Sequence, residues 1–152
     1  MTKDVQSRIL VFSVVSVGGV TAACATRGDV ATVEELSRYY TLAASLVRPA
    51  EGTVVKVIGD GLIITFPGHR GHEAVQALQA LQQQATEQWQ RFDSRCRVQV
   101  KVGYGPVIAC ALGPAGEERP DIYGDALNRL FKQAAADFVV MPELRSVLGT
   151  SA

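Results

Sequence analysis

Cysteine is scarce in this 152-residue chain, at three residues: Cys24, Cys96 and Cys110. Their number is odd and their spacing is not that of metal ligands, so they read as ordinary buried or half-buried thiols in a reducing cytosol. A cytoplasmic location is expected. Excess charge of either sign is also missing. Lys+Arg and Asp+Glu stand at 15 each, so nothing points to nucleic acid or to an anionic membrane as a partner. Long hydrophobic runs are absent too. Residues 9–20 are apolar but interrupted by Ser13, Ser16, Gly18 and Gly19, too short a stretch to span a bilayer. Lys3 and Arg8 before it and Ala22-Ala23-Cys24 after it imitate a secretory leader. From Arg27 onward, however, the chain continues smoothly into a domain that would lose its first strand, so a buried central strand is the better reading. There is no Walker A loop, no Cys-x-x-Cys pair and no Ser-His-Asp order, which disfavours those enzyme classes. His69 and His72 form an H-x-x-H pair without a third ligand and read as surface residues rather than zinc ligands.

What is present suits one soluble domain spanning residues 1–152. Hydrophobic content of 47% and charged content of 20% are ordinary, and the length suffices for a real core. Ile9 to Val17 is β-branched-rich and nearly all apolar, as a strand buried on both faces is. Thr32 to Val47 carries apolar residues at Val33, Leu36, Tyr40, Ala43, Ala44 and Val47 with a helical period, and Thr32 is the expected N-cap. Glu73 to Phe92 is a second helix with Ala74, Ala77, Leu78, Leu81, Ala85 and Trp89 on one side. Arg97–Val102 and Val107–Leu112 read as a hairpin around Gly103-Tyr104-Gly105-Pro106. A short strand near Asp121 follows, then a helix capped by Asp125 and running to about Ala136. Phe138–Met141 is a short strand, and Pro142 opens a last helix through Leu148. This order of elements contains the split βαβ pattern of ferredoxin-like folds.

The most informative stretch is Val54-Val55-Lys56-Val57-Ile58-Gly59-Asp60-Gly61-Leu62-Ile63-Ile64-Thr65-Phe66. Two β-branched-rich runs flank a Gly-Asp-Gly turn, a β-hairpin with one carboxylate at its tip. It resembles the central hairpin of class III nucleotidyl cyclases, V-K-x-I-G-D-G followed by an apolar strand. Three further blocks carry the same resemblance in order. Glu35-Leu36-Ser37-Arg38-Tyr39-Tyr40 is similar to the family's first helix. Gly103-Tyr104-Gly105-Pro106-Val107-Ile108-Ala109 is similar to its H-x-G-P-V-x-A segment, and Asp121-Ile122-Tyr123-Gly124-Asp125-Ala126-Leu127-Asn128 to its D-x-x-G-D-x-V-N. The likeness covers about Ile9 to Leu148. It implies an α/β (α+β sandwich) domain of ferredoxin-like, nucleotidyl cyclase type with helices mainly on one face, shortened at the C-terminus. The strand and phosphate-binding lysine with which family members usually continue find no match.

The resemblance also implies a site. In the family two carboxylates hold two Mg²⁺ or Mn²⁺ ions that serve phosphoryl chemistry. Asp60 matches the second of them. The first lies in a motif like F-x-D-I-x-G-F-T, which aligns with Val14-Val15-Ser16-Val17-Gly18-Gly19-Val20-Thr21, so Ser16 stands where the aspartate should be. A hydroxyl is a neutral, weak ligand for a hard cation, and metal would be held weakly. Gly18, Gly19 and Thr21 are placed to cradle phosphates at a helix start. Lys56 and Asp121 match the pair that selects adenine, the lysine donating to a ring nitrogen and the aspartate accepting from the exocyclic amine. Asn128 matches the ribose-positioning asparagine. Lys132 replaces the family's phosphate-stabilising arginine, keeping the charge but losing the planar fork.

Taken alone, Asp60 is an ordinary turn residue, Lys56 a solvated strand residue and Asp125 a cap; asparagine at position 128 is harder to explain, being a poor helix former. The implied assembly is a head-to-tail homodimer, or a heterodimer with a partner that carries the missing aspartate. Ser16 and Asp60 of one chain would then face Lys56, Asp121, Asn128 and Lys132 of the other. The expected function is a degenerate, ATP-binding or dimerising signalling module with weak or no activity. The alternative is an active adenylate cyclase that forms cyclic AMP and pyrophosphate.

Overall fold

The computed structural model describes residues 5–149. Lys3, invoked above as part of a leader-like pattern, lies outside them. Eleven regular elements follow in order: β1 (Gln6–Gly18), α1 (Val20–Arg27), α2 (Asp29–Val47), β2 (Thr53–Ile58), β3 (Gly61–Pro67), α3 (Gly71–Phe92), β4 (Arg97–Leu112), β5 (Arg119–Tyr123), α4 (Asp125–Lys132), β6 (Phe138–Val140) and α5 (Pro142–Leu148). One sheet runs β2-β3-β1-β4-β5, with β6 added to β4. The β4–β6 pair is parallel and the other pairings are antiparallel. This is the α/β arrangement with the split βαβ order that the sequence implied.

The apolar run at the start is the central strand. Leu10, Val11, Phe12 and Ser13 are all buried, so β1 is covered on both faces. Its alternation divides the core. Val11, Val15 and Val17 join Leu62, Ile64, Phe66, Val98, Val100 and Val102 beneath α1, α2, α3 and α5. Leu10, Phe12, Ile63, Val107 and Ile122 face the other way and are covered by Leu127 and Leu130 of α4. Helices therefore lie mainly on one face, with α4 alone opposite. Ser13 is satisfied within the larger core by donating its hydroxyl to the Ile64 carbonyl, 3.2 Å away.

Four local expectations are corrected. Residues 97–112 form one strand and no hairpin. β1 pairs with β4 without a break from Gln6↔Ala109 to Gly18↔Arg97, passing straight through Gly103-Tyr104-Gly105-Pro106. Glycine is needed at 103 for a packing reason: a Cβ there would lie 2.9 Å from the Phe12 ring. Pro106 is tolerated because β5 pairs only with 108–112 and β6 only with 100–102, leaving one edge of β4 unpaired around it. Second, Thr32 is not the cap of α2. The helix begins at Asp29 behind Gly28, and the Thr32 hydroxyl donates back to the Gly28 carbonyl at 2.8 Å. The buried stripe is correspondingly rotated: Val33 is exposed, whereas Glu35 and Tyr39 are buried. Third, Asp125 is the first helical residue of α4, paired with Arg129, and Gly124 holds the cap position. Fourth, α4 stops at Lys132, well before Ala136. The Lys101 ammonium donates to the carbonyls of Phe131 at 3.3 Å and Gln133 at 2.9 Å, meeting the acceptors that a helix end leaves open.

Candidate nucleotide site

The β2–β3 hairpin closes with Ile58 opposite Gly61 around a two-residue turn, Gly59-Asp60. Gly59 takes a left-handed φ of 58°, which a glycine adopts without strain. The β1–β3 ladder ends at Val15↔Leu62. Beyond it the Val17 N–H has no strand partner on that edge, and it donates instead to Asp60 Oδ2 at 2.8 Å. The carboxylate at the hairpin tip thus sits against the end of β1, beside half-buried Ser16. The turn itself is held from behind. Tyr39 donates its hydroxyl to the Asp60 carbonyl at 3.1 Å, and Tyr40 donates to the Gly59 carbonyl. Burial, reinforced by the nearby Asp60 charge, raises both phenols above their ordinary range, so both remain protonated donors.

Immediately after Ser16 the chain turns. Gly18 ends β1, and Gly19, at φ 91°, caps α1. A Cβ on Gly19 would meet the Arg95 carbonyl at 2.8 Å, so only glycine lets the backbone pass. The first turn of α1, with exposed Thr21, contains no acidic residue. Its N–H groups lack intrahelical acceptors and retain the positive end of the helix dipole. Arg95 anchors this helix from below, donating to Thr26 Oγ1 at 3.2 Å and to Asp93 at 2.7 Å. Those bonds hold the Asp93 carboxyl down at about 2.

A second group assembles at the sheet's edges. Lys56 Nζ lies 3.0 Å from Asp121 Oδ2, although 65 positions separate the two in sequence. Asp121 is oriented further by accepting the Ile122 N–H on its other oxygen at 2.8 Å. β2 and β5 end opposite edges of the strand order, so this contact requires the sheet to curl. The ion pair borders a cavity of about 500 Å³ between β2 and the 112–121 segment, which Glu117 and Arg119 also line. Asn128 and Lys132 lie four positions apart on α4, half-buried and exposed respectively. Among the described residues no hydrogen bond joins the Ser16–Asp60 group to Lys56, Asp121, Asn128 or Lys132. The structure therefore brings Asp60 to the end of β1 at Val17 and Lys56 to Asp121, as two groups that share no hydrogen bond.

The donor set limits what cation it suits. Asp60 commits one oxygen to Val17, Ser16 brings no charge, and among the described residues no group of three His, Cys, Asp or Glu side chains could hold a metal. This fits one cation completed by phosphate oxygens and does not fit a pair. His69 and His72 are both exposed, Cys96 is buried, and Cys24 and Cys110 are half-buried, all as free residues. Burial raises the Cys96 thiol above its usual range. No helix among the described residues is long and apolar enough to cross a membrane. The sequence reading missed the tyrosine hold on the turn, because Tyr40 fitted an apolar stripe; only two adjacent phenols hinted at it.

Comparison with known proteins places the fold. The chain is similar in structure to the adenylyl cyclase CyaB from P. aeruginosa, with a TM-score of 0.86 at 16% identity over 96% of this chain and 83% of that one. The guanylyl cyclase Cya2 gives a TM-score of 0.85 at 15% identity, over 99% of this chain and 82% of that one. The guanylate cyclase domain of RhGC from Catenaria anguillulae, solved in complex with GTP, gives 0.78 at 12% identity, over 94% and 84%. At such identities these likenesses establish the fold. No curated protein sequence matches the chain. The family profile described as Adenylate and Guanylate cyclase catalytic domain matches residues 3–136. With that match covering most of its length, the chain belongs to the adenylate and guanylate cyclase catalytic domain family.

Proposed function

We propose that this chain is an adenylate cyclase-like signalling module that binds ATP and dimerises, with weak or no cyclase activity. One observation carries the reading: the Asp60 carboxylate is held at the end of β1 by the Val17 N–H, one residue from Ser16, which on this reading stands where a second carboxylate would complete a metal pair. Asp60 would hold a single Mg²⁺ or Mn²⁺ together with the triphosphate. When bound, that ion supplies charge neutralisation at the phosphates. The start of α1, from Gly18 and Gly19 to Thr21, offers backbone N–H groups to a phosphate. Lys56 and Asp121 present a donor and an acceptor side by side, matching the ring nitrogen and exocyclic amine of adenine, which favours ATP over GTP. Asn128 serves the ribose, and Lys132 offers a single point charge to the phosphates.

That the two groups share no hydrogen bond within one chain fits a head-to-tail homodimer in which each site is shared, and a heterodimer would fit the same arrangement. Val57, Ile58, Tyr123 and Phe131 are large apolar residues left exposed, as a partner-facing surface would be. The second reading, an active adenylate cyclase forming cyclic AMP, is favoured by how firmly Asp60 is held. Calorimetric titration tests the binding claim. ATP should bind the wild type more tightly than GTP does, and Lys56→Ala should weaken ATP about tenfold while erasing that preference. Equal affinity for both nucleotides, or no binding of either, would contradict it.

A further inference from the structure

Resting on the reading of Asp60 as the cation carboxylate, we propose that Tyr39 and Tyr40 are positioning residues that set this carboxylate in place before any ligand arrives. Tight turns at hairpin tips are usually among the more mobile parts of a fold. Here the carbonyls of both turn residues, Gly59 and Asp60, are taken by hydroxyls from two consecutive residues of α2. Consecutive helical residues point about 100° apart, so the turn straddles the helix and is gripped from two directions. The two bonded carbonyls lie on either side of the Asp60 Cα, which fixes the backbone around it. The Val17 N–H then fixes the side chain.

The grip is itself rigidly mounted. Tyr39 is fully buried, and its ring meets Trp89 of α3 edge-on at 5.8 Å. Trp89 in turn meets Phe92 edge-on at 5.7 Å. Tyr40 stands beside Tyr39 at 5.8 Å. A chain of aromatic packing thus runs from the core of the α2–α3 pair to the hairpin tip. Such preorganisation matters most in a site with one carboxylate, because a lone ligand has no second one to correct its placement. A merely structural role would stabilise the hairpin generally; a positioning role acts on Asp60.

The test uses the whole chain and the variants Tyr39→Phe, Tyr40→Phe and the double variant, which remove hydroxyls and keep the rings. Two readouts avoid enzymatic activity. The first is hydrogen exchange of the Val17 amide in ligand-free protein. The second is the enhancement of ATP binding by Mn²⁺, compared with binding in its absence. In the double variant the Val17 amide should exchange about fivefold faster or more, with the Val15 and Val100 amides unchanged. The Mn²⁺ enhancement should fall by a similar factor, and Mn²⁺-free ATP affinity should hold. Asp60→Asn separates the two claims. If it abolishes the Mn²⁺ enhancement while the double variant behaves as wild type, positioning is overturned and the cation reading stands. If Asp60→Asn changes nothing, the cation reading falls and the proposal falls with it. Uniformly faster exchange at Val15, Val17 and Val100 would show a general loss of stability and would also overturn it.

Discussion

Ser16 adjoins Val17, whose N–H holds Asp60, and the two side chains are unequal in chemistry. The hydroxyl can donate or accept but carries no charge, whereas a hard divalent cation is normally held by carboxylates. On the proposed reading Lys132 would add to the deficit on the phosphate side, offering a point charge in place of a fork capable of two parallel bonds. A single preorganised donor lost from a transition state costs about 3–4 kcal/mol, and an exchange of Arg for Lys costs less than that. Adding Lys132→Arg to Ser16→Asp should therefore raise cyclic AMP formation severalfold above Ser16→Asp alone. An unchanged rate would remove Lys132 from the site. The residues that carry these arguments were legible in the sequence because their motifs surround them: Gly59-Asp60-Gly61 announces a turn, and the Asp121–Asn128 block keeps its spacing. The hydrogen bond from Val17 to Asp60 was not legible. It depends on where the β1–β3 ladder runs out, and ladder register is a tertiary fact.

At the scale of elements, two local contacts hold the pieces that frame the site. Lys101 closes the C-terminal end of α4, the helix that bears Asn128 and Lys132. Its charge also opposes the negative end of that helix's dipole. Lys101→Met should cost about 1 kcal/mol in urea unfolding and fray the last turn of α4; an unchanged unfolding midpoint would show the contact to be idle. Arg95 and Asp93 buttress α1 in a similar way. Arg95 keeps the folded-state Asp93 carboxyl at about 2, below the value of about 3.9 expected in the unfolded chain. A depressed carboxylate stabilises the fold above its unfolded value, and that contribution is lost as pH falls toward 2. Melting followed from pH 5 to pH 2 should show Asp93→Asn losing less stability over that window than the wild type. A parallel decline in both would contradict the assignment. Element types read well from periodicity, as α3 shows, with Ala74, Leu78, Leu81, Ala85 and Trp89 all buried. The failure at β4 has a clear origin. Gly-Tyr-Gly-Pro has the composition of a turn, yet the glycine at 103 makes room for Phe12, a neighbour that no local pattern reveals.

At the scale of the molecule, the curled sheet joins Lys56 to Asp121 at one place, and the end of β1 holds Asp60 through the Val17 N–H at another. If each complete site takes one group from each of two chains, complementation should expose it. Ser16→Asp/Asn128→Ala keeps a repaired metal half, and Asp60→Ala keeps an intact nucleotide half. Each should be silent alone, and their mixture should make cyclic AMP from the single repaired site in the mixed dimer. Silence of the mixture, with Ser16→Asp active by itself, would mean that one chain holds a whole site. Val57, Ile58, Tyr123 and Phe131 are exposed apolar residues that such pairing would cover. On the proposed reading, this site lacks one of two metal-holding carboxylates, at Ser16. The most direct test of that reading is cyclic AMP formation from ATP and excess Mn²⁺ by purified wild type and Ser16→Asp, side by side. The account predicts near silence from the wild type and a gain on the order of tenfold or more in Ser16→Asp, abolished again by Asp60→Ala. Robust wild-type activity that Ser16→Asp does not increase would contradict it.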